Sequence, residues 1–207
     1  KPAEGVLQGA YVVYNQQKHE LLYSLLRGKN ISSIIIFAST KDKVKLLERD
    51  LIRQGFNAAA IHSDLEQEQR NETLRKFKNR TLQILVATDI LSRGIDIDSI
   101  GLVINFDVPG DAEDYIHRVG RTARAESTGV ALTFINTDDQ RKFQKIEDLI
   151  GAEVNKLPLP ASLAILFPYT QNDWGDPWSF NIIILFYYSG FCVLASKLRI
   201  KIYAICF

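Results

Sequence analysis

Residues 115–124 read YIHRVGRTAR. Arg118, Arg121 and Arg124 recur at every third position behind His117, and a helical start through Asp114-Tyr-Ile would bring them to roughly one face, with Gly120 leaving that face unobstructed. Arginine carries a planar, permanently charged fork that grips a phosphate through parallel hydrogen bonds. The plainer alternative is a solvated helix face whose arginines pair with carboxylates. That alternative loses ground because Arg121 and Arg124 have few acidic neighbours in sequence, and the loop after Arg124 ends in Gly129. Arginine fingers lower the barrier to phosphoryl transfer by about 4–7 kcal/mol, so the implied ligand is a nucleotide phosphate.

A second constellation, Ala87-Thr-Asp-Ile-Leu-Ser-Arg-Gly-Ile-Asp96, directly follows an apolar run. Thr88 can donate to a phosphate oxygen, Gly94 lets the backbone approach a ligand closely, and Asp96 offers two acceptors suited to ribose hydroxyls. Asp and Gly after a strand commonly just make a turn. Followed by YIHRVGRTAR, the stretch becomes strong evidence for a phosphate and ribose site.

The elements that must position these residues alternate. Strands are expected at Tyr11–Tyr14, Ser33–Phe37, Asn57–Ile61, Gln83–Ala87, Leu102–Phe106 and Val130–Ile135. Helices are expected at Lys18–Arg27, Lys41–Gln54, Glu66–Asn79, Ala112–Gly120 and Asp138–Ile150, with Leu47, Leu51 and Ile52 on one face of the second and Leu74 and Phe77 on one face of the third. This alternation predicts an α/β fold of right-handed βαβ units: an open, mostly parallel sheet with helices on both faces. Ligands bind such sheets beyond the carboxyl ends of the strands. Ala38-Ser39-Thr40, His62-Ser63-Asp64, Thr88-Asp89 and Asp107 each follow a strand and should converge on one edge, and Arg121 is expected to share the edge that bears Thr40, Arg70 and Thr88.

Formal charges nearly cancel at +1, and basic and acidic side chains balance up to Ser162, so no global basic field recruits a polyanion. Any anion site must be local. Cys192 and Cys206 both lie near the C-terminus, which argues against a disulfide framework or a Cys-based metal site and fits a reducing, cytoplasmic setting. The chain begins at Lys1 and has no Met, as expected of a piece of something longer. After Leu157-Pro-Leu-Pro160 the charge density collapses, and Phe180 to Ser196 carries no charge. This run falls short of the about 20 residues that span a bilayer comfortably. The expected division is therefore a domain over residues 1–160 and a tail over 161–207 foreign to it, with no membrane partner.

ATDILSRGID followed by YIHRVGRTAR closely resembles the fifth and sixth helicase motifs of DEAD-box RNA helicases, superfamily 2 proteins built of two RecA-like lobes. Ile34-Ile-Ile-Phe-Ala-Ser-Thr40 resembles that family's fourth motif, and Gln67-Glu-Gln-Arg70 its Gln-x-x-Arg element. The resemblance covers residues 5–160 in the correct order and implies the second, C-terminal RecA-like lobe. It implies that Arg121 and Arg124 reach the γ-phosphate of ATP held by the N-terminal lobe of the same polypeptide, that Asp96 holds the ribose near Gly94, and that His117 touches the other lobe's catalytic motif. It further implies that Thr40, Arg70, Thr88, Asp89, Arg93 and the backbone near Gly94 meet one RNA strand, with Gln67 positioning Arg70 and Phe37 packing near it. Arg93 and Arg118 are expected to be partly structural, paired with carboxylates. The family commonly has Gly where this chain has Ser63, whose β-carbon could crowd the backbone.

Two catalytic elements do not occur in the sequence. Gly28-Lys29 is followed by Asn30 and preceded five residues earlier by Tyr23, so it is no phosphate loop, and Asp111-Ala-Glu-Asp114 shares only the composition of an Asp-Glu-Ala-Asp motif. Mg²⁺ would then be held by the other lobe, and this chain is expected not to hydrolyse ATP alone. The alternative reading is a non-catalytic RecA-like module that docks RNA or protein.

Overall fold

A computed structural model of the chain describes residues 5–89, 100–122, 129–160 and 163. All of these belong to a compact unit spanning Lys1–Gln171; a second unit, Asn172–Phe207, lies outside the described residues, as does the apolar run at 180–196. No helix among the described residues is long and apolar enough to cross a membrane.

Seven strands form one parallel sheet: β1 (Val6–Val12), β2 (Ile34–Phe37), β3 (Ala58–Ile61), β4 (Ile84–Ala87), β5 (Leu102–Asn105), β6 (Gly129–Ile135) and β7 (Asn155–Lys156). Their order is β3-β4-β2-β5-β6-β1-β7. β2, β4 and β5 are buried at every position, the pattern of strands covered on both faces. The helices are α1 (Lys18–Leu26), α2 (Lys41–Arg53), α3 (Gln67–Lys78), α4 (Ala112–Val119) and α5 (Gln140–Ile150).

Alternation along the strands separates two cores. Ile34, Ile36, Ile84, Val86 and Ile104 pack with Leu21 and Leu22 of α1 and Val44, Leu47 and Leu51 of α2. Ile35, Phe37, Leu85 and Val103 face the other way, onto Phe77 of α3, Tyr115 and Val119 of α4, and Phe143 and Ile146 of α5. Helices α1 and α2 therefore cover one face and α3, α4 and α5 the other. Ile52 departs from the expected apolar face of α2: it is exposed, because the buried stripe runs through Val44, Leu47 and Leu51.

Two strands differ from expectation. β1 begins at Val6 rather than near Tyr11, since Gln8 and Gly9 interrupt the apolar run without interrupting the pairing with β6. β7 carries no apolar signature and is held by its backbone, continued by Leu157 N–H donating to the Ala10 carbonyl at 2.7 Å. Gly9 makes that approach possible, because a β-carbon there would lie 2.7 Å from Leu157 Cδ1. At the opposite edge Glu48 of α2 accepts from the Ala60 N–H of β3 at 2.8 Å, satisfying a donor that the edge strand would otherwise present to another chain.

Candidate functional site

The sheet register levels four strand ends. Phe37 stands opposite Ala87 and Asn105, and Ile61 opposite Ala87, so the loops carrying Ser39-Thr40, His62-Ser63-Asp64, Thr88-Asp89 and Asp107 leave from one edge as the sequence implies. Thr40 is the N-cap of α2, its Oγ1 accepting from Lys43 N–H at 3.3 Å, a bond that does not use its own hydroxyl proton. Ser63 is exposed and its backbone is not left-handed, so nothing at this position requires glycine's conformational freedom. Asp64 is gripped by Lys41 at 3.0 Å and Lys45 at 2.6 Å, which ties this loop to the first turns of α2. Hydrogen bonds from Lys45 and then Lys41 hold the Asp64 carboxyl well below the usual carboxylate range. On α3, Gln67 Oε1 accepts from Arg70 Nη1 at 3.4 Å while its amide donates to Asn71 at 2.9 Å. Arg70 Nε is buried with no hydrogen-bond partner, leaving a cationic donor unmatched beside this edge.

The first arginine of YIHRVGRTAR is not on an outward, ligand-facing surface. Arg118 is 2 % exposed and points into the molecule. Its Nε donates to Asp89 Oδ1, its Nη2 to Asp89 Oδ2 at 2.7 Å, and its Nη1 to Asn105 Oδ1 at 3.1 Å and the Asp107 carbonyl at 2.8 Å. The guanidinium carbon lies 5.0 Å from the centroid of the Phe37 ring. Arg118 is therefore a structural residue paired with a carboxylate, and the Asp89 side chain, expected among RNA contacts, is committed to it. Phe37, expected beside Arg70, supports Arg118.

Helix α4 ends at Val119, so helical spacing does not carry on to Arg121. The turn bearing Arg121 also lies away from the carboxyl edge: the next residue, Thr122, meets Ile100 just before β5 and Gly129 at the start of β6. The expectation of one shared edge is thus corrected for Arg121. The reason is topological, since a helix that follows one parallel strand must return the chain to the starting edge of the next. His117 is exposed on α4, with Nδ1 3.9 Å from Asp114 Oδ1. Arg93, Gly94, Asp96 and Arg124 lie outside the described residues.

One cluster had only half a signal in the sequence. Lys18, 2 % exposed on α1, donates to Asp107 Oδ1 at 3.1 Å and to the Phe106 carbonyl at 2.8 Å, and lies 3.9 Å from Asp139. Asp107 Oδ2 accepts from Lys43 at 3.0 Å and from the Ser39 N–H at 2.9 Å. Burial pushes the Asp107 carboxyl up, but Lys18, the Ser39 amide and Lys43 outweigh it and hold the group well below the usual carboxylate range. Burial has the opposite effect on Lys18, lowering its ammonium below the ordinary lysine value against the pull of Asp107. These side chains, with Asn15 and Lys142, line a cleft of about 430 Å³ at the carboxyl ends of β1, β5 and β6. Asp107 was legible as a strand-tip acid, whereas Lys18 reads in sequence as one more solvated helix residue.

Comparison with known proteins gives this geometry a family. The helicase conserved C-terminal domain matches residues 17–126. The ATP-dependent RNA helicase RhlB of Pseudomonas putida is 41% identical over 152 residues, which cover 73% of this chain and 38% of that protein. The crystal structure of a DEAD box protein from the hyperthermophile Methanococcus jannaschii superposes with a TM-score of 0.70 at 38% identity, covering 74% of this chain and 42% of that one. Saccharomyces cerevisiae Dbp5 bound to RNA and ADP BeF3 superposes with a TM-score of 0.71 at 30% identity, over 76% of this chain and 42% of that one. The chain thus spans about two fifths of the length of these relatives. With its parallel RecA-like sheet and the order of its motifs, it belongs to the helicase C-terminal domain family and is the C-terminal lobe of a DEAD-box helicase.

Proposed function

We propose that this lobe works as half of an ATP-dependent RNA helicase. Its carboxyl edge grips phosphates of one RNA strand through Thr40, Thr88 and Arg70, with Gln67 orienting Arg70 and the backbone near Gly94 completing the grip. The turn after α4 presents Arg121, with Arg124 beyond it, to the γ-phosphate of ATP held by an N-terminal lobe, while Asp96 takes the ribose hydroxyls and His117 meets that lobe's surface. Phosphate and ribose contacts position a strand without reading its sequence, so the choice of RNA lies elsewhere.

The observation that carries this reading is the placement of the turn after α4: Arg118 is buried against Asp89, while the turn bearing Arg121 is anchored through Thr122 to the chain entering β5 and to the start of β6. A fixed turn of this kind suits a charge that must meet a ligand brought by another lobe. That a relative of the same fold is bound to RNA and ADP BeF3 supports the pairing of the two ligands. Mg²⁺ would be held by the other lobe, since the phosphate loop and Asp-Glu-Ala-Asp motif that would supply its ligands do not occur in this sequence. ATP bound between the lobes supplies the phosphoryl group that water attacks. This chain's part is to place positive charge where the γ-phosphate oxygens gain negative charge.

The test is Arg121→Ala in the chain joined to an N-terminal DEAD-box lobe. Turnover of ATP in saturating RNA should fall by about 10³ or more. An unchanged rate would remove Arg121 from the nucleotide site.

A further inference from the structure

Thr122 is 1 % exposed, and its hydroxyl donates to the Ile100 carbonyl at 2.5 Å across 22 residues of sequence. Its backbone closes the turn: Thr122 N–H donates to the Val119 carbonyl and Arg121 N–H to the Arg118 carbonyl, each at 3.1 Å. On the other side β6 begins directly against it. A β-carbon on Gly129 would lie 2.1 Å from Thr122 Oγ1 and 2.3 Å from the Thr122 carbonyl oxygen, separations that no side chain tolerates.

Building on the finger role given to Arg121, we infer that Thr122 is a positioning residue: its hydroxyl, seated by Gly129, latches the Arg121 turn to the chain entering β5 and so fixes where that turn presents its arginine. The acceptor is not in its own turn but on the chain entering β5, 22 residues away, and the adjoining strand has glycine at the position that lets the hydroxyl reach it. A displacement of about 1 Å at a reacting group can cost about 10² in rate, so a bond that fixes this turn bears on catalysis without touching substrate.

The experiment compares Thr122→Val, which keeps the shape and removes the hydroxyl, with Thr122→Ser, which keeps the hydroxyl. In the full chain alone, hydrogen exchange at the Arg121 and Thr122 amides should quicken in the valine variant and stay near wild type in the serine variant. Unchanged exchange in the valine variant would overturn the latch. With an N-terminal lobe supplied, Thr122→Val should lower kcat by about 10- to 100-fold and leave the KM for RNA unchanged, while Thr122→Ser restores turnover. Full turnover in Thr122→Val beside loss in Arg121→Ala would overturn the positioning role alone. Full turnover in both would overturn the finger reading and the latch with it. Should the valine variant not fold, Thr122→Ala against Thr122→Ser carries the same comparison, with equal kcat in the two overturning the inference.

Discussion

At the scale of the residue, the buried place of Arg118 and the finger role proposed for Arg121, three positions on, predict different losses. Removing Arg118 leaves the Asp89 carboxylate without its counter-charge, along with the Asn105 side chain and the Asp107 carbonyl that also accept from it. Arg118→Met should destabilise the chain by about 3–5 kcal/mol in urea unfolding, clearly more than Arg121→Ala, whose main effect is expected on ATP turnover. Equal effects would contradict the division of roles. Arg70→Ala should weaken RNA binding uniformly across sequences and reduce the dependence of log K on log salt by about one phosphate's share, as read by titrations at several salt concentrations. A loss confined to one sequence would contradict a phosphate contact. The residue types were legible from sequence, since both arginines stood out in YIHRVGRTAR, and the family resemblance already set Arg118 apart as partly structural. Its partners were not, because Asp89 and Asn105 are brought to it from distant strands.

At the scale of the element, apolar runs disclosed β2, β3, β4, β5 and β6, since strands buried on both faces have little choice but Ile, Leu, Val and Ala. β7 was invisible for the complementary reason: Asn155 and Lys156 pair through backbone alone, beside a glycine that only the folded state explains. The convergence of the strand-tip loops followed from parallel topology, but the ion pairs that join them did not. Asp107 links α1 through Lys18, α2 through Lys43 and the β2 loop through Ser39. Its folded-state acidity is stronger than that of an unfolded Asp near 3.9, so its contribution to stability is complete above about that pH and is lost progressively as the pH falls below it. Urea midpoints measured between about pH 6 and pH 3 should therefore decline in the wild type, and Asp107→Asn should flatten that acid limb. An acid limb of unchanged slope in the variant would show that the carboxylate is not what these elements share.

At the scale of the molecule, the chain accounts for 38% of a relative such as RhlB, and the proposed chemistry is divided in the same way. Its formal charge of +1 gives it no field to draw in RNA from a distance, so the proposed grip would depend on local donors such as Arg70 and on a second lobe to close the cleft. The phosphate loop and acidic motif that would hold ATP and Mg²⁺ are not in this sequence, while the residues suited to answer them are. The most direct measurement is RNA-stimulated ATP hydrolysis by the chain alone, by a purified N-terminal DEAD-box lobe alone, and by the two together. The account predicts background turnover from each alone and RNA-dependent turnover from the pair, abolished by Arg121→Ala in this chain. Turnover by the chain alone, or a pair that binds RNA and ATP yet turns over no faster than the N-terminal lobe by itself, would contradict it.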